Sequence, residues 1–311
     1  MNKQSTSVIL MVRPVKFGYN EQTATSNAFQ DDHIKHSDIQ TRALKEFDVF
    51  TTTLRAKGIE IIIIDDTAEP HTPDSVFPNN WISTHPEGRI ILYPMEAENR
   101  RKERRDDVVD LLRSGFQVND VTDLSPYELE GKYLEGTGSM VLDHANKIAY
   151  ACISSRTNPD VLKQFCNLLN YSSVIFSAAD RKGQNIYHTN VMMCIGETFS
   201  VICLDSIHDS VQRAAVESSL LRSGKEIIKI SYAQLDHFAG NMIQLLNKAG
   251  EKLLVMSEQA YNSLSDEQLS GLEKHASLIS SPLYSIEQAG GGSARCMIAE
   301  IFLNRTRRDH E

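Results

Sequence analysis

Five times along the chain a small or polar residue gives way at once to an apolar run. These are Asn80-Trp81-Ile82, Ser139-Met140-Val141-Leu142, Asn190-Val191-Met192-Met193, Asn241-Met242-Ile243 and Cys296-Met297-Ile298. They recur every roughly 50–60 residues, a period that marks repeat architectures. Within the intervals come further strands and a helix, each interval closing on a short β-rich run: Gln117 to Val121, Ser173 to Phe176, Glu226 to Ile230 and Ser277 to Ile279. Alternating strands and helices predict α/β units. Five such units set in a ring would bring all five strand mouths to one central point.

The 311 residues suffice for a substantial core, and the hydrophobic fraction of 41% and charged fraction of 23% are those of an ordinary globular protein. One domain over residues 1–311 is expected. A net charge of -9 argues against a nucleic-acid or anionic-membrane partner. The N-terminus lacks a signal-peptide layout, and the densest apolar run, Ile61-Ile62-Ile63-Ile64, is strand-sized rather than membrane-spanning. Five cysteines without regular spacing suit a reducing compartment, and the cytoplasm is the expected location. Cys152, Cys166, Cys194 and Cys203 lie in apolar runs and read as core fillers. His33 and His36 have no thiol or acidic partners at metal spacing, so no metal or cofactor is expected.

Local patterns place the elements. Ser7 to Val12 reads as a strand and Asp38 to Lys57 as a helix with Leu44, Phe47, Phe50 and Leu54 on one face, stopped by Gly58. Glu98 to Arg113 reads as one helix with a wet face. Late in the chain Gly290-Gly291-Gly292-Ser293-Ala294-Arg295-Cys296 runs into Met297 to Phe302, which reads as a buried strand. Three glycines allow backbone conformations closed to other residues or a ligand against bare peptide. Cys296 then sits at a strand mouth with Arg295 beside it, and a neighbouring cation favours the nucleophilic thiolate. Gly136-Thr137-Gly138 lacks the rest of a phosphate-loop fingerprint.

Taken in order, Asp74-Ser75-Val76-Phe77 with Asn79-Asn80, Asn99-Arg100-Arg101-Lys102-Glu103, Leu134-Glu135-Gly136, Ser155-Arg156-Thr157-Asn158, His188-Thr189-Asn190 and the Cys296 stretch resemble the guanidino-group-modifying enzymes. That superfamily comprises amidinotransferases, arginine deiminases and dimethylarginine hydrolases. The resemblance covers Arg13 to Phe302 and implies a five-bladed α/β propeller, the pentein, with quasi-fivefold symmetry. Phe17-Gly18-Tyr19-Asn20, Asn27-Ala28-Phe29-Gln30 and Phe77-Pro78-Asn79-Asn80-Trp81 look most like its citrulline-utilisation hydrolase branch. By matching the family motifs, Cys296 is the nucleophile, His188 the general acid/base and Glu135 the carboxylate that orients the histidine and meets the substrate head. Arg100 and Arg156 match groups that grip an amino-acid α-carboxylate, and Phe77 and Asn79 join the substrate set. A homodimer is expected by analogy alone.

Where arginine-processing members carry carboxylates, this chain has Asn80 and, relative to deiminases, Asn190. A carboxylate suits a guanidinium, whereas an amide offers an acceptor and donors to a neutral ureido head. The expected substrate is therefore citrulline or a similar ureido amino acid, hydrolysed to ornithine, ammonia and carbon dioxide. The alternatives are a deiminase, a dimethylarginine-type hydrolase or an amidinotransferase acting on a guanidino group. From another class comes a non-catalytic binding module on the same fold.

Overall fold

A computed structural model describes residues 3–24, 26–27, 29–30 and 38–306. His33, His36 and Ala28 lie outside the described residues. Five three-stranded sheets carry the structure. β1 (Val8–Arg13) pairs parallel with β2 (Glu60–Asp65). The second sheet joins β3 (Ile82–His85), β4 (Arg89–Leu92) and β5 (Asp120–Asp123). The third joins β6 (Val141–Asp143), β7 (Ile148–Cys152) and β8 (Ser172–Phe176). β9 (Met193–Ile195), β10 (Phe199–Ile202) and β11 (Glu226–Lys229) form the fourth. β12 (Ile243–Leu246), β13 (Lys252–Ser257) and β14 (Ser277–Ser281) form the fifth. β15 (Ala299–Glu300) returns to the first sheet, antiparallel to β1.

Every sheet repeats one pattern. A short inner strand runs antiparallel to the middle strand, which pairs parallel with the outer one. Parallel neighbours need a crossover, and in each unit a helix supplies it: Ile39–Ala56, Asp106–Gly115, Pro159–Leu169, Ser210–Arg222 and Asp266–Glu273. Their starts are set locally. Asn158 and Asp209 each accept two backbone N–H groups at the first turn, and Ser265 with Gln268 forms a reciprocal capping box.

The cores lie between sheets. Leu10 and Val12 pack with Ile82 and Ile90, Ile91 and Tyr93 with Leu142 and Ala149, and Tyr150 with Val201 and Met256. Ile9 and Met11 pack with Leu245 and Val255, joining the fifth sheet to the first. Cys152, Cys166, Cys194 and Cys203 are buried as free thiols, and burial pushes them up to about 11, 11, 12 and 11. Among the described residues no helix is long and apolar enough to cross a membrane.

Two expected elements differ. The 98–113 helix is broken into Glu98–Arg101 and Asp106–Gly115. Arg101 donates back to the Met95 and Glu96 carbonyls, and Arg104 donates to the Tyr93 carbonyl, so the segment between the pieces turns inward. The strand expected over 297–302 pairs only at Ala299–Glu300, and Cys296 lies in the turn that precedes it.

Candidate active site

The inner strands are approached through tight turns: Pro78–Asn80 before β3, Gly136–Ser139 before β6 and Thr189–Met192 before β9. Glycine lets them converge. At Gly136 (φ +48°) an added Cβ would stand 2.3 Å from the Asn79 carbonyl oxygen. At Gly138 it would stand 2.3 Å from the Asn80 amide nitrogen and 2.8 Å from the His188 ring. Ser139 ties the turns together. Its hydroxyl donates to the Arg156 carbonyl (2.7 Å) and accepts the Glu135 N–H (2.8 Å), while its carbonyl accepts from the Thr189 hydroxyl (2.6 Å).

Glu135 sits at the start of its turn with no solvent exposure. His188 Nε2 donates to Glu135 Oε2 at 2.8 Å, the Glu96 N–H donates to Oε1 at 3.0 Å, and Arg156 Nη1 lies 3.5 Å from Oε2. Burial alone would raise the carboxyl, but the Arg156 charge and the His188 hydrogen bond more than offset it and hold it well below the usual carboxylate range. An ionised carboxylate only accepts, so the ring proton resides on Nε2 and Nδ1 is left as the acceptor. Burial pushes His188 down to about 4 despite the opposing pull of Glu135. The imidazole is therefore neutral near pH 7, the form in which it can accept a proton.

The Cys296 sulfur is met by two amides: Asn190 Nδ2 at 3.4 Å and Asn241 Nδ2 at 3.2 Å. Arg295 does not play the expected part. Its guanidinium turns away to Glu300 (3.0 Å) and to the Ile298 carbonyl (2.8 Å).

Cys296 and His188 share one small cavity, of about 10 Å³, with Asn27, Asp74, Phe77, Asn80, Arg100, Arg156, Tyr187 and Gly290, Gly291 and Gly292. That is room for about one water. Phe77 lies against the bare backbone of Gly290 and Gly292, where an added Cβ would fall 2.8 and 2.9 Å from its ring. Arg100 is fully engaged. It pairs with Glu103 through two 2.9 Å bonds and donates to Asn80 Oδ1 (2.8 Å) and to the Phe77 carbonyl (3.2 Å). Arg156 bonds the Ser26 hydroxyl (2.7 Å) and Thr23 carbonyl (2.9 Å) and lies over the Tyr187 ring.

The expected substrate set is thus only partly assembled. Asn80, Phe77, Arg100 and Arg156 line the cavity. Asn190 does not line this cavity and instead meets the Cys296 sulfur. The Asn79 side chain is buried off the wall, with neither polar atom bonded among the described residues. Two residues stood in the sequence only within longer patterns and were given no role there. Asp74 lines the cavity and accepts from Asn20 and Thr23 through one oxygen, while the other is buried without a partner. Burial pushes this carboxyl up, against the nearby Arg100 charge. Asn241 is the second. The repeat held the signal for it: the residues opening the five units, Asn80, Ser139, Asn190, Asn241 and Cys296, all belong to this site or its bracing. Among the described residues no cluster of three or more His, Cys, Asp or Glu is placed to hold a metal.

The family model described as N,N dimethylarginine dimethylhydrolase, eukaryotic, matches residues 13–303. No curated protein matches the sequence. Among solved structures, the apo form of ArgZ, an arginine dihydrolase from the ornithine-ammonia cycle in cyanobacteria, aligns with a TM-score of 0.75 at 17% identity. The alignment covers 94% of this chain and 40% of that one, so the chain spans well under half of full-length ArgZ. The product-bound N-terminal domain of ArgZ gives the same TM-score and identity over 94% of this chain and 97% of that one. A dimethylarginine dimethylaminohydrolase variant in an adduct with S-methyl-L-thiocitrulline aligns at a TM-score of 0.67 and 15% identity, over 97% of this chain and 100% of that one. The mixed α/β fold is shared with these structures.

Proposed function

This chain belongs to the eukaryotic-type N,N-dimethylarginine dimethylhydrolase family, within the pentein superfamily of hydrolases acting on C–N bonds, and on that premise we propose that it hydrolyses the guanidino group of arginine or a methylated arginine. The observation that carries this reading is the shared cavity of Cys296 and His188, with Glu135 bonded to the imidazole. We read the five sheets as blades of a ring, because sheet-to-sheet cores run from the first to the fifth and back to the first.

The residues suit a covalent sequence. Neutral His188 takes the thiol proton through Nδ1, and the Cys296 thiolate forms an S–C bond to the guanidino carbon. The imidazolium returns the proton to the departing amine as the C–N bond breaks. Water, deprotonated by His188, then adds to the thiouronium carbon, and the C–S bond breaks to restore the thiolate. Glu135 keeps the ring in the required tautomer throughout. Asp74, with its free buried oxygen, suits a cationic group on the substrate.

A specific observation favours a second reading, the ureido substrate citrulline. Arg100 has donors only, so the Asn80 atom facing it is Oδ1, and Nδ2, which gives one N–H to the Glu135 carbonyl (3.5 Å), keeps a second to donate. An N–H suits a ureido oxygen better than a guanidinium. A panel of arginine, asymmetric dimethylarginine, agmatine and citrulline, with release of ammonia or methylamines measured, separates the two. Turnover of a guanidino compound that Cys296→Ser abolishes is the expected result. Turnover of citrulline alone would move the assignment to the second reading, and no turnover of any would defeat both.

A further inference from the structure

Asn241 occupies an unusual position between three segments. It lies just after the 236–240 turn, whose last residue, Gly240, passes so close to the Thr189–Met192 turn that an added Cβ would stand 2.3 Å from the Val191 carbonyl oxygen. This approach lets Asn241 Nδ2 reach both the Asn190 carbonyl (2.9 Å) and the Cys296 sulfur (3.2 Å). Its Oδ1 accepts the Arg295 backbone N–H at 3.0 Å. A backbone N–H is solely a donor, so the amide cannot be turned over, and its NH₂ must face the sulfur. Asn190 Nδ2 approaches the same sulfur at 3.4 Å, with its Oδ1 buried behind.

We propose that Asn241, with Asn190 as its second arm, is a catalytic donor that holds the Cys296 sulfur as the attacking thiolate. The inference rests on the proposed function for its role in turnover. A thiolate accepts hydrogen bonds far better than a thiol, so the Asn241 donor, fixed by its other contacts, and the Asn190 N–H beside it favour the charged form. The neighbouring charges have partners of their own: Asp74 bonds Asn20 and Thr23, Arg100 pairs with Glu103, and Arg156 and His188 meet at Glu135. Arg295 pairs with Glu300, and Glu287 bonds Ser293 and Gln259. Among the described residues, the amides are the hydrogen-bond donors that reach the sulfur.

The test is alkylation of Cys296 by iodoacetamide in the full chain, followed across pH by mass spectrometry. In that reaction the thiol proton passes to solvent, the thiolate forms an S–C bond and iodide departs. Asn241→Leu is expected to shift the midpoint of the alkylation profile upward by about one pH unit and to slow the reaction near neutrality by about tenfold. The alkaline plateau should not fall, because a less stabilised thiolate is at least as nucleophilic. Asn241→Asp, which keeps the acceptor for the Arg295 N–H, replaces the leucine variant if circular dichroism shows that one unfolded. A midpoint unmoved from the wild type in the folded variant overturns the proposal. Alkylation needs no substrate, so a shifted midpoint in a protein that turns over no guanidino or ureido compound would sink the proposed function and leave the donor role standing.

Discussion

His188 Nε2 meets Glu135 Oε2 at 2.8 Å, and neither side chain is more than 3% exposed. The pair makes acid costly to the fold. His188 is held down to about 4 and His85, buried beside Arg89 and Lys147, to about 3, while burial also keeps His144 well below the ordinary value. Unfolded, each binds a proton from about pH 6.5 downward. Between pH 6.5 and about 4 the unfolded chain therefore holds more protons, and stability present above pH 6.5 is lost as pH falls. Glu135 acts in the same direction but only below about pH 4.5. The urea midpoint should fall steeply from pH 7 to pH 5. His188→Gln should flatten that slope, by an amount on the order of 1–3 kcal/mol at pH 5. An unchanged slope would refute the neutral buried ring.

Gly138→Ala tests the convergence of the turns. Its methyl would meet both the Asn80 amide and the His188 ring, so turnover should be lost and stability lowered by about 1–3 kcal/mol. Gly18→Ala, at a site with no heavy atom within 4 Å, is the matched control and should melt within a degree or so of wild type. Equal melting temperatures for both variants would count against the packing described.

Asn80→Asp probes the substrate head. The substitution keeps the acceptor for Arg100 and exchanges the N–H donor for a carboxylate oxygen. The ratio of kcat/KM for a guanidino substrate over citrulline should rise by about tenfold, the scale of one charged hydrogen bond. A ratio that stays level or drops would remove Asn80 from contact with the reacting group.

Lys225 and Asp143 form a pair with no exposure on either side chain, at 3.2 Å. Lys225→Met leaves Asp143 buried with an unpaired charge and should cost about 3–5 kcal/mol in a denaturant titration. Arg42→Ala, which breaks the half-exposed pair with Asp38, should cost under about 1 kcal/mol. Similar losses for the two would mean that Asp143 finds another partner.

Much of this arrangement was legible in the chain. The junctions from Asn80 to Cys296 mark the five units because each inner strand must enter an apolar core directly from a polar turn. The helix over Ile39–Ala56 is legible from Phe47, Phe50 and Leu54, all fully buried. Less visible was the shape of the junctions, since a single helical turn such as Thr189–Met192 is too short to have a period. The break after Arg101 depends on its guanidinium and that of Arg104 folding back to carbonyls that precede the helix. Asp74 and Asn241 stand within sequence patterns that give neither of them a role. Their roles come from partners 54 residues or more away, Asn20 for the first and Cys296 for the second, which only the tertiary fold brings near.

The first sheet is finished by β15, which pairs with β1 across nearly the whole chain. On a ribosome, β1 and β2 emerge well before the cysteine-bearing turn. The emerging polypeptide can thus hold its acid and its imidazole long before it holds its sulfur. The turn that carries the sulfur is anchored where β15 pairs with β1, so its seat is built from segments made far apart in time.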